Sequence, residues 1–214
     1  MLPRIIKPML AQKAEAPFDS EQHLFEIKWD GIRCLAFIEG GSVRLQSRQL
    51  TEMTLQFPEL ACLKFLPPGT ILDGELVVLQ EGGPSLRLIQ RRTFLQNRAR
   101  IQLLSQRTPV TYMVFDLLYL KGDPLMAAPL HHRREALQRL IQRTTLPAVL
   151  VSEAVPEHGC KLFAQVASLG LEGVMAKRFD SPYLPGKHSR FWFKIKPKLS
   201  PQVLMATTAM ANTL

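Results

Sequence analysis

Glu26-Ile27-Lys28-Trp29-Asp30-Gly31-Ile32-Arg33 decides how the rest of the chain is understood, because it sets one lysine between two carboxylates and follows them with a glycine and an arginine. No packing rule asks for that order. If Phe25 to Asp30 is extended, the side-chain period of two turns Glu26, Lys28 and Asp30 to one face of the strand. A salt-bridged lysine on an exposed polar face would look the same and costs little. The flanking stretches must decide between that reading and a reactive amine.

Upstream, residues 1–22 carry Pro3, Pro8 and Pro17 and are expected to wrap the surface. Leu24 to Ile38 contains two apolar runs broken at Asp30-Gly31, which suits two strands with a turn. Val43 to Ser47 alternates apolar and polar residues after Gly40-Gly41 and reads as the next hairpin strand, with Arg48 at its end. Phe57 to Leu66 has near-helical apolar spacing and stops at Pro67-Pro68-Gly69, as a short helix would. Thr70 to Leu79 reads as a strand despite Asp73 and Glu75. By parity Glu75 shares a face with Val77 and Leu79 and points inward, where an unpaired charge is costly, so a metal, an arginine or a lysine must answer it.

Further along, Ser85 to Arg107 carries Arg87, Arg91, Arg92, Arg98, Arg100 and Arg107 and is expected to form one or two helices. A solvated helix face is the ordinary reading of such a run, and a nucleic-acid surface is the alternative. Thr111 to Leu120 is an apolar strand holding a single acid, Asp116. Leu130 to Arg143 and Lys161 to Leu169 read as scaffold helices, the second capped by Gly170. Glu172 to Arg178 and Phe191 to Lys196 read as short strands, with Lys194 and Lys196 on one face. Residues 199–214 have no charge and no clear period, so a poorly ordered tail is expected there.

The whole chain has 214 residues, 46% of them hydrophobic, which is an ordinary globular level. No apolar run reaches the length of a spanning helix and the start lacks a signal peptide's apolar centre, so a cytoplasmic protein without membrane contact is expected. Cys34, Cys62 and Cys160 are scattered and odd in number, which argues against disulfides or a zinc site; they read as buried small hydrophobes. The net charge of +9 favours a polyanionic partner, with nucleic acid the first choice.

The strand ends thus supply Lys28, Arg33, Arg48, Glu75, Glu172, Lys194 and Lys196, an inventory suited to a polyphosphate. Basic side chains clamp phosphates, a divalent cation takes one or two carboxylates plus phosphate oxygens, and Phe115 could stack on a base. Neither a G-x-x-x-x-G-K-[ST] loop nor a G-x-G-x-x-G turn occurs, so the nucleotide would be held without a glycine-rich cradle. One such use is covalent: a lysine attacks the α-phosphate, expels pyrophosphate and keeps the nucleoside monophosphate. Lysine amines are protonated at neutral pH, so a cation and the lysine pair must favour the neutral form of Lys28.

In this order Glu26-x-Lys28-x-Asp30-Gly31-x-Arg33, Ser47-Arg48, Leu72-Asp73-Gly74-Glu75, Phe115-Asp116-Leu117-Leu118-Tyr119-Leu120, Glu172-Gly173-Val174-Met175-Ala176-Lys177 and Trp192-Phe193-Lys194-Ile195-Lys196 resemble the nucleotidyltransferase motifs of ATP-dependent DNA ligases. Ser181-Pro182-Tyr183-x-Pro185-Gly186-Lys187 looks most like the bacterial end-joining type. The resemblance covers about residues 5–198.

It implies that Lys28 takes up AMP from ATP, that Glu26 sits by the adenine edge and that Phe115 stacks on the ring. Arg33 and Arg48 would face the ribose and phosphate side or the DNA 5′-phosphate. Glu75 and Glu172 would serve the ribose and a Mg²⁺ or Mn²⁺ ion, and Lys194 and Lys196 the α-phosphate. AMP would then pass to a 5′-phosphate of nicked or broken double-stranded DNA, and the 3′-hydroxyl would seal the break. The expected context is DNA repair, recombination or replication, near the nucleoid in a bacterium, as a monomer with end-binding or polymerase partners.

The fold implied is α+β: antiparallel sheets packed together and flanked by helices, with the nucleotide in the cleft where the motif strands end. The family places an oligonucleotide-binding barrel after the lysine pair. Sixteen residues, Leu199 to Leu214, cannot form one, since a barrel needs on the order of 40 residues. A catalytic domain over 1–198 is therefore expected, slow in self-adenylation and slower in sealing. An RNA ligase or capping-type nucleotidyltransferase of the same superfamily, and a DNA-binding remnant that no longer seals, are the alternatives.

Overall fold

The computed structural model describes residues 2–81 and 83–197. The tail expected over 199–214, and the boundary at 198, lie outside them. In chain order come β1 (Leu10–Lys13), β2 (Ser20–Ile27), β3 (Ile32–Glu39), β4 (Ser42–Ser47), a 3-10 helix (Pro58–Phe65) and β5 (Thr70–Val77). The short β6 (Leu79–Gln80) and β7 (Gly83–Pro84) pair with each other and lead into α1 (Leu86–Thr93) and α2 (Arg98–Arg107). Then follow β8 (Thr111–Leu120), β9 (Asp123–Pro124), α3 (Leu130–Gln142), β10 (Val149–Val151), β11 (Ala154–Glu157), α4 (Gly159–Ser168), β12 (Val174–Arg178) and β13 (His188–Ile195).

Two sheets carry the fold, in the strand orders β1-β13-β12-β2-β11 and β10-β8-β5-β3-β4, with β9 on β8. Their pairings are antiparallel except β1 with β13 and β10 with β8. Strand parity sorts the core into layers. Phe25, Val174, Ala176 and Ile195 pack with Val166 of α4 on the outer face of the first sheet. Cys34, Ala36, Leu72, Leu76 and Val114 pack with Leu60, Ile89 and Leu137 on the outer face of the second. Between the sheets lie Leu35, Phe37, Ile71, Phe115, Leu118 and Trp192. Each fully buried large apolar side chain contributes about 1.5–3 kcal/mol, so three such layers make the sheet pair a stiff frame for the groups on its inner faces.

The stretch around Lys28 departs from the expected strand–turn–strand. β2 belongs to the first sheet and β3 to the second, so Lys28 to Gly31 is the crossing between sheets. A Cβ on Gly31 would stand 2.1 Å from the carbonyl oxygen of Leu76, so only glycine lets the crossing backbone lie against β5. The extended conformation therefore stops at Ile27, short of the expected Asp30.

Other expectations also need adjustment. Residues 1–22 do not merely wrap the surface: they supply β1 and the buried Ile6 and Met9. The helix before Pro67 is a 3-10 helix that begins at Pro58. Leu79 is 47% exposed because β5 ends at Val77. Only Cys34 of the three cysteines is buried. Cys62 is half-buried, and Cys160 is exposed on the first turn of α4, where its N–H donates to Asp19 Oδ1 at 2.8 Å. Among the described residues no helix is long and apolar enough to cross a membrane.

Candidate active site

A cavity of about 1060 Å³ opens between the two sheets, and all nine residues singled out from the sequence line it: Glu26, Lys28, Arg33, Arg48, Glu75, Phe115, Glu172, Lys194 and Lys196. They arrive from both sheets: Glu26, Arg33, Glu75, Phe115 and Lys194 from within strands, and Lys28, Arg48, Glu172 and Lys196 from the residues just outside strand ends. Its lysines and arginines are Lys28, Arg33, Arg48, Lys177, Lys194 and Lys196, against the acids Glu26, Glu52, Glu75 and Glu172. The surplus of cations suits an anionic ligand.

Lys28 begins the crossing, and its backbone N–H donates to the Gly173 carbonyl at 2.8 Å. Gly173 has φ +144°, and a Cβ there would stand 2.1 Å from the Ile195 carbonyl oxygen, so glycine is required where β12 starts. That anchor brings the side chain of Glu172 to Lys28. Its Oε2 accepts from Lys28 Nζ, and its Oε1 takes Lys196 Nζ at 2.6 Å. The Lys28 and Glu172 side chains are 21% and 19% exposed, open enough for a ligand and sheltered enough for charge to matter. Asp30 is not among the cavity-lining residues. Burial, then the neighbouring Glu172, raises its carboxyl above the ordinary value against the pull of Lys28 and Lys196.

Glu26 is sealed into a buried ion cluster. Its Oε1 accepts from Arg134 Nη1 at 2.7 Å, and both oxygens accept from Lys177 Nζ at 3.1 Å. Arg134 also donates to the carbonyls of Ser152 at 2.7 Å and Phe115 at 3.3 Å. Burial lowers the Lys177 amine's pKa and Glu26 opposes that shift. The Lys177 nitrogen lies 3.9 Å from the centre of the Phe115 ring and 4.6 Å from Trp192, within cation–π range.

Arg33 is held flat by Asp73 through two bonds of 2.6 Å, and Tyr183 donates its hydroxyl to the same carboxylate at 2.6 Å. Burial works against the Arg33 charge, but Asp73 outweighs it and raises the pKa. The guanidinium also lies 4.6 Å from the Phe115 ring centre. Glu75 faces Arg33 across the β3–β5 ladder, yet it makes no salt bridge among the described residues. Burial pushes its carboxyl up to about 7 despite Arg33 and Lys28. Arg48 is exposed in the turn closed by Ser47 and Thr51 at the cavity rim.

The sequence reading missed the ion-pair partners. Arg134 and Arg133 come from α3, which read as plain scaffold. Arg133 binds the buried Asp116 through bonds of 2.7 and 2.8 Å, with both side chains 0% exposed. Lys177 lay inside the Glu172–Lys177 motif, and its signal was a charge at an inward position of a short strand beside the apolar Val174 and Ala176.

The comparisons with known proteins agree with this geometry. Residues 8–196 match the family model described as ATP dependent DNA ligase domain. The chain is 38% identical over 195 residues to the multifunctional non-homologous end joining DNA repair protein LigD of Mycobacterium tuberculosis, covering 89% of this chain and 24% of that protein. It is 33% identical over 191 residues to the SPbeta prophage-derived DNA ligase-like protein LigB of Bacillus subtilis, covering 89% and 67%. The crystal structure of the ligase domain of M. tuberculosis LigD superposes with a TM-score of 0.74 at 35% identity, covering 89% of this chain and 59% of that one. The chain therefore spans about a quarter of the LigD length and two thirds of LigB. The two-sheet frame, the lysine-centred cavity and a match over nearly all described residues lead to one conclusion: this chain belongs to the ATP-dependent DNA ligase domain family.

Proposed function

We propose that this domain joins breaks in duplex DNA through a lysyl-AMP intermediate on Lys28. The observation that carries the reading is the Nζ of Lys28 at the wall of a cation-rich cavity, hydrogen-bonded to Glu172 beside Lys196. In the first step the Lys28 nitrogen bonds to the α-phosphorus of ATP as the bond to pyrophosphate breaks. The amine's proton leaves along the hydrogen bond to Glu172 and on to solvent. Lys194 and Lys196 stabilise charge building on the phosphoryl oxygens. An oxygen of the DNA 5′-phosphate then attacks the same phosphorus, and the lysine nitrogen leaves and regains a proton. Finally the 3′-hydroxyl oxygen bonds to the DNA phosphorus as the bond to AMP breaks, and the hydroxyl proton passes to solvent.

Phe115, edge-on to Trp192 with ring centres 6.2 Å apart, offers an aromatic wall for the base. In this reading Glu26 serves the purine edge from within its ion cluster with Lys177 and Arg134, and Arg33 and Arg48 serve the ribose and phosphates. Among the described residues no cluster of three or more His, Cys, Asp or Glu side chains could cage a metal. The carboxylates of Glu172 and Glu75 fit a Mg²⁺ or Mn²⁺ ion that takes its other ligands from phosphate and water. Such an ion, when bound, neutralises phosphate charge. Glu172, if it held such an ion, would loosen its hold on Lys28 and Lys196, which would favour the free amine. The likeness to LigD favours nicked or broken DNA, with end-binding or polymerase partners, over an RNA substrate.

The test is incubation with α-labelled ATP and Mg²⁺ or Mn²⁺ followed by denaturation. Label should remain on the wild-type chain and be absent from Lys28→Ala. Equal labelling of both would refute the reading, and retained nicked-DNA binding with no adduct would favour a non-sealing remnant.

A further inference from the structure

The chain leaves the first sheet at Lys28 and returns to it after β10, since β10 belongs to the second sheet and β11 to the first. Ser152 stands at that return crossing. It is 0% exposed, and its N–H donates to the Val114 carbonyl at 2.8 Å. Its hydroxyl oxygen accepts from the indole Nε1 of Trp29 at 3.1 Å, which ties the return crossing to the one that carries Lys28. The two crossings are laced to each other beside the amine.

Arg134 of α3 fastens this lacing to both sheets. Its Nη2 donates to the Ser152 carbonyl at 2.7 Å, and its Nη1 donates to Glu26 Oε1 of β2 at 2.7 Å and to the Phe115 carbonyl of β8 at 3.3 Å. A planar guanidinium holds such partners in fixed directions, which a lysine ammonium does not. Arg134 does not line the cavity, whereas Glu26 and Phe115 do, so any influence on a ligand passes through them. A carboxylate offers about four acceptor positions. Arg134 and Lys177 take both on Glu26 Oε1 and one on Oε2, which leaves, among the described residues, one position on Oε2 for a donor in the cavity. The 6-amino group of adenine is such a donor. The 6-oxygen of guanine is an acceptor and meets the same carboxylate with repulsion.

We propose that Arg134 is a positioning residue for the base: anchored on the return crossing through Ser152, it holds the remaining acceptor of Glu26 toward the cavity and so makes the site select a purine with a 6-amino group. The proposal rests on the lysyl-AMP reading of Lys28 and extends it to a helix outside the cavity wall. Without the fork, Glu26 keeps Lys177 as its partner and is free to turn on it, so the aim of Oε2 is lost while the buried charge stays paired. A site built to bond a substrate N–H discriminates strongly against an analogue that lacks it, and that discrimination depends on the aim of the acceptor.

The test measures nucleotide uptake by the 214-residue chain in a single turnover, with varied ATP and with varied purine riboside 5′-triphosphate, which is ATP without the 6-amino group. The wild type should prefer ATP. Arg134→Lys keeps a cation beside Glu26 and loses the fork, and it should raise the half-saturating ATP concentration about tenfold while leaving that of the analogue near its wild-type value. Arg134→Gln supplies the same comparison should the lysine variant fail to fold. Ser152→Ala removes the acceptor of Trp29 but keeps the carbonyl that Arg134 uses, so it should retain the wild-type preference even where uptake of both nucleotides slows. Equal weakening of both nucleotides in the Arg134 variants, an unchanged preference there, or an equal loss of preference in Ser152→Ala would overturn the proposal. Failure of the wild type to take up either nucleotide would count against the lysyl-AMP reading instead, and calorimetric binding of the two triphosphates in EDTA would still decide whether Arg134 sets the preference.

Discussion

The Nζ of Lys28 donates to the carboxylate of Glu172, joining the crossing between the sheets to the start of β12 across 144 positions of sequence. Glu172 thereby orients the amine in the cavity, and with its other oxygen it holds Lys196. Replacing Glu172 by Gln keeps the shape and removes the charge. Single-turnover transfer of AMP to the protein should fall by about 10- to 100-fold, the usual scale for removing an orienting or metal-binding partner. An unchanged rate would leave Glu172 without a role in the reaction.

Glu75 gives the cavity a pH signature. With its carboxyl at about 7, the folded chain keeps a proton that the unfolded chain releases near the ordinary value of 4.5. The unfolded state thus binds fewer protons between those values, so stability falls as pH rises through that window and the loss is complete above it. Glu75→Gln should remove this component. Urea unfolding at pH 5 and pH 8 should show the variant gaining on the wild type at the higher pH.

Asp116 and Arg133 form a wholly buried pair that ties β8 to α3. Arg133→Ala leaves the carboxylate uncompensated and should cost about 3–5 kcal/mol of stability by denaturant titration. Replacing both residues with apolar side chains of similar volume should restore most of it. If the double variant is as unstable as the single one, the loss is one of packing and not of charge.

Gly31→Ala should move the crossing away from β5, since its Cβ would meet the Leu76 carbonyl oxygen at 2.1 Å. A loss of about 1–3 kcal/mol is expected from the overpacking, together with slower AMP uptake because Lys28 moves with the crossing. Normal uptake in a destabilised variant would separate the two effects.

Much of this was legible in the sequence where periodicity is local. Thr70–Val77 and Thr111–Leu120 declare themselves by branched and aromatic residues, and parity alone turns Glu26 and Lys28 to one side. The assignment of β2 and β3 to different sheets was not legible, because strand order depends on partners distant in sequence, such as Met175 for Glu26. The same holds for the ion clusters. A lone acid like Asp116 in an apolar strand announces that it needs a partner. Which arginine of α3 supplies that partner depends on how the helix packs, and its amphipathic pattern reads the same either way.

The most direct test of the central claim is peptide mapping of the wild-type chain after incubation with ATP and a divalent cation. The account predicts one AMP per chain, bonded to the side-chain nitrogen of Lys28 and discharged on adding a 5′-phosphorylated nicked duplex. AMP on another residue, or a Lys28 adduct that a nick does not discharge, would contradict it.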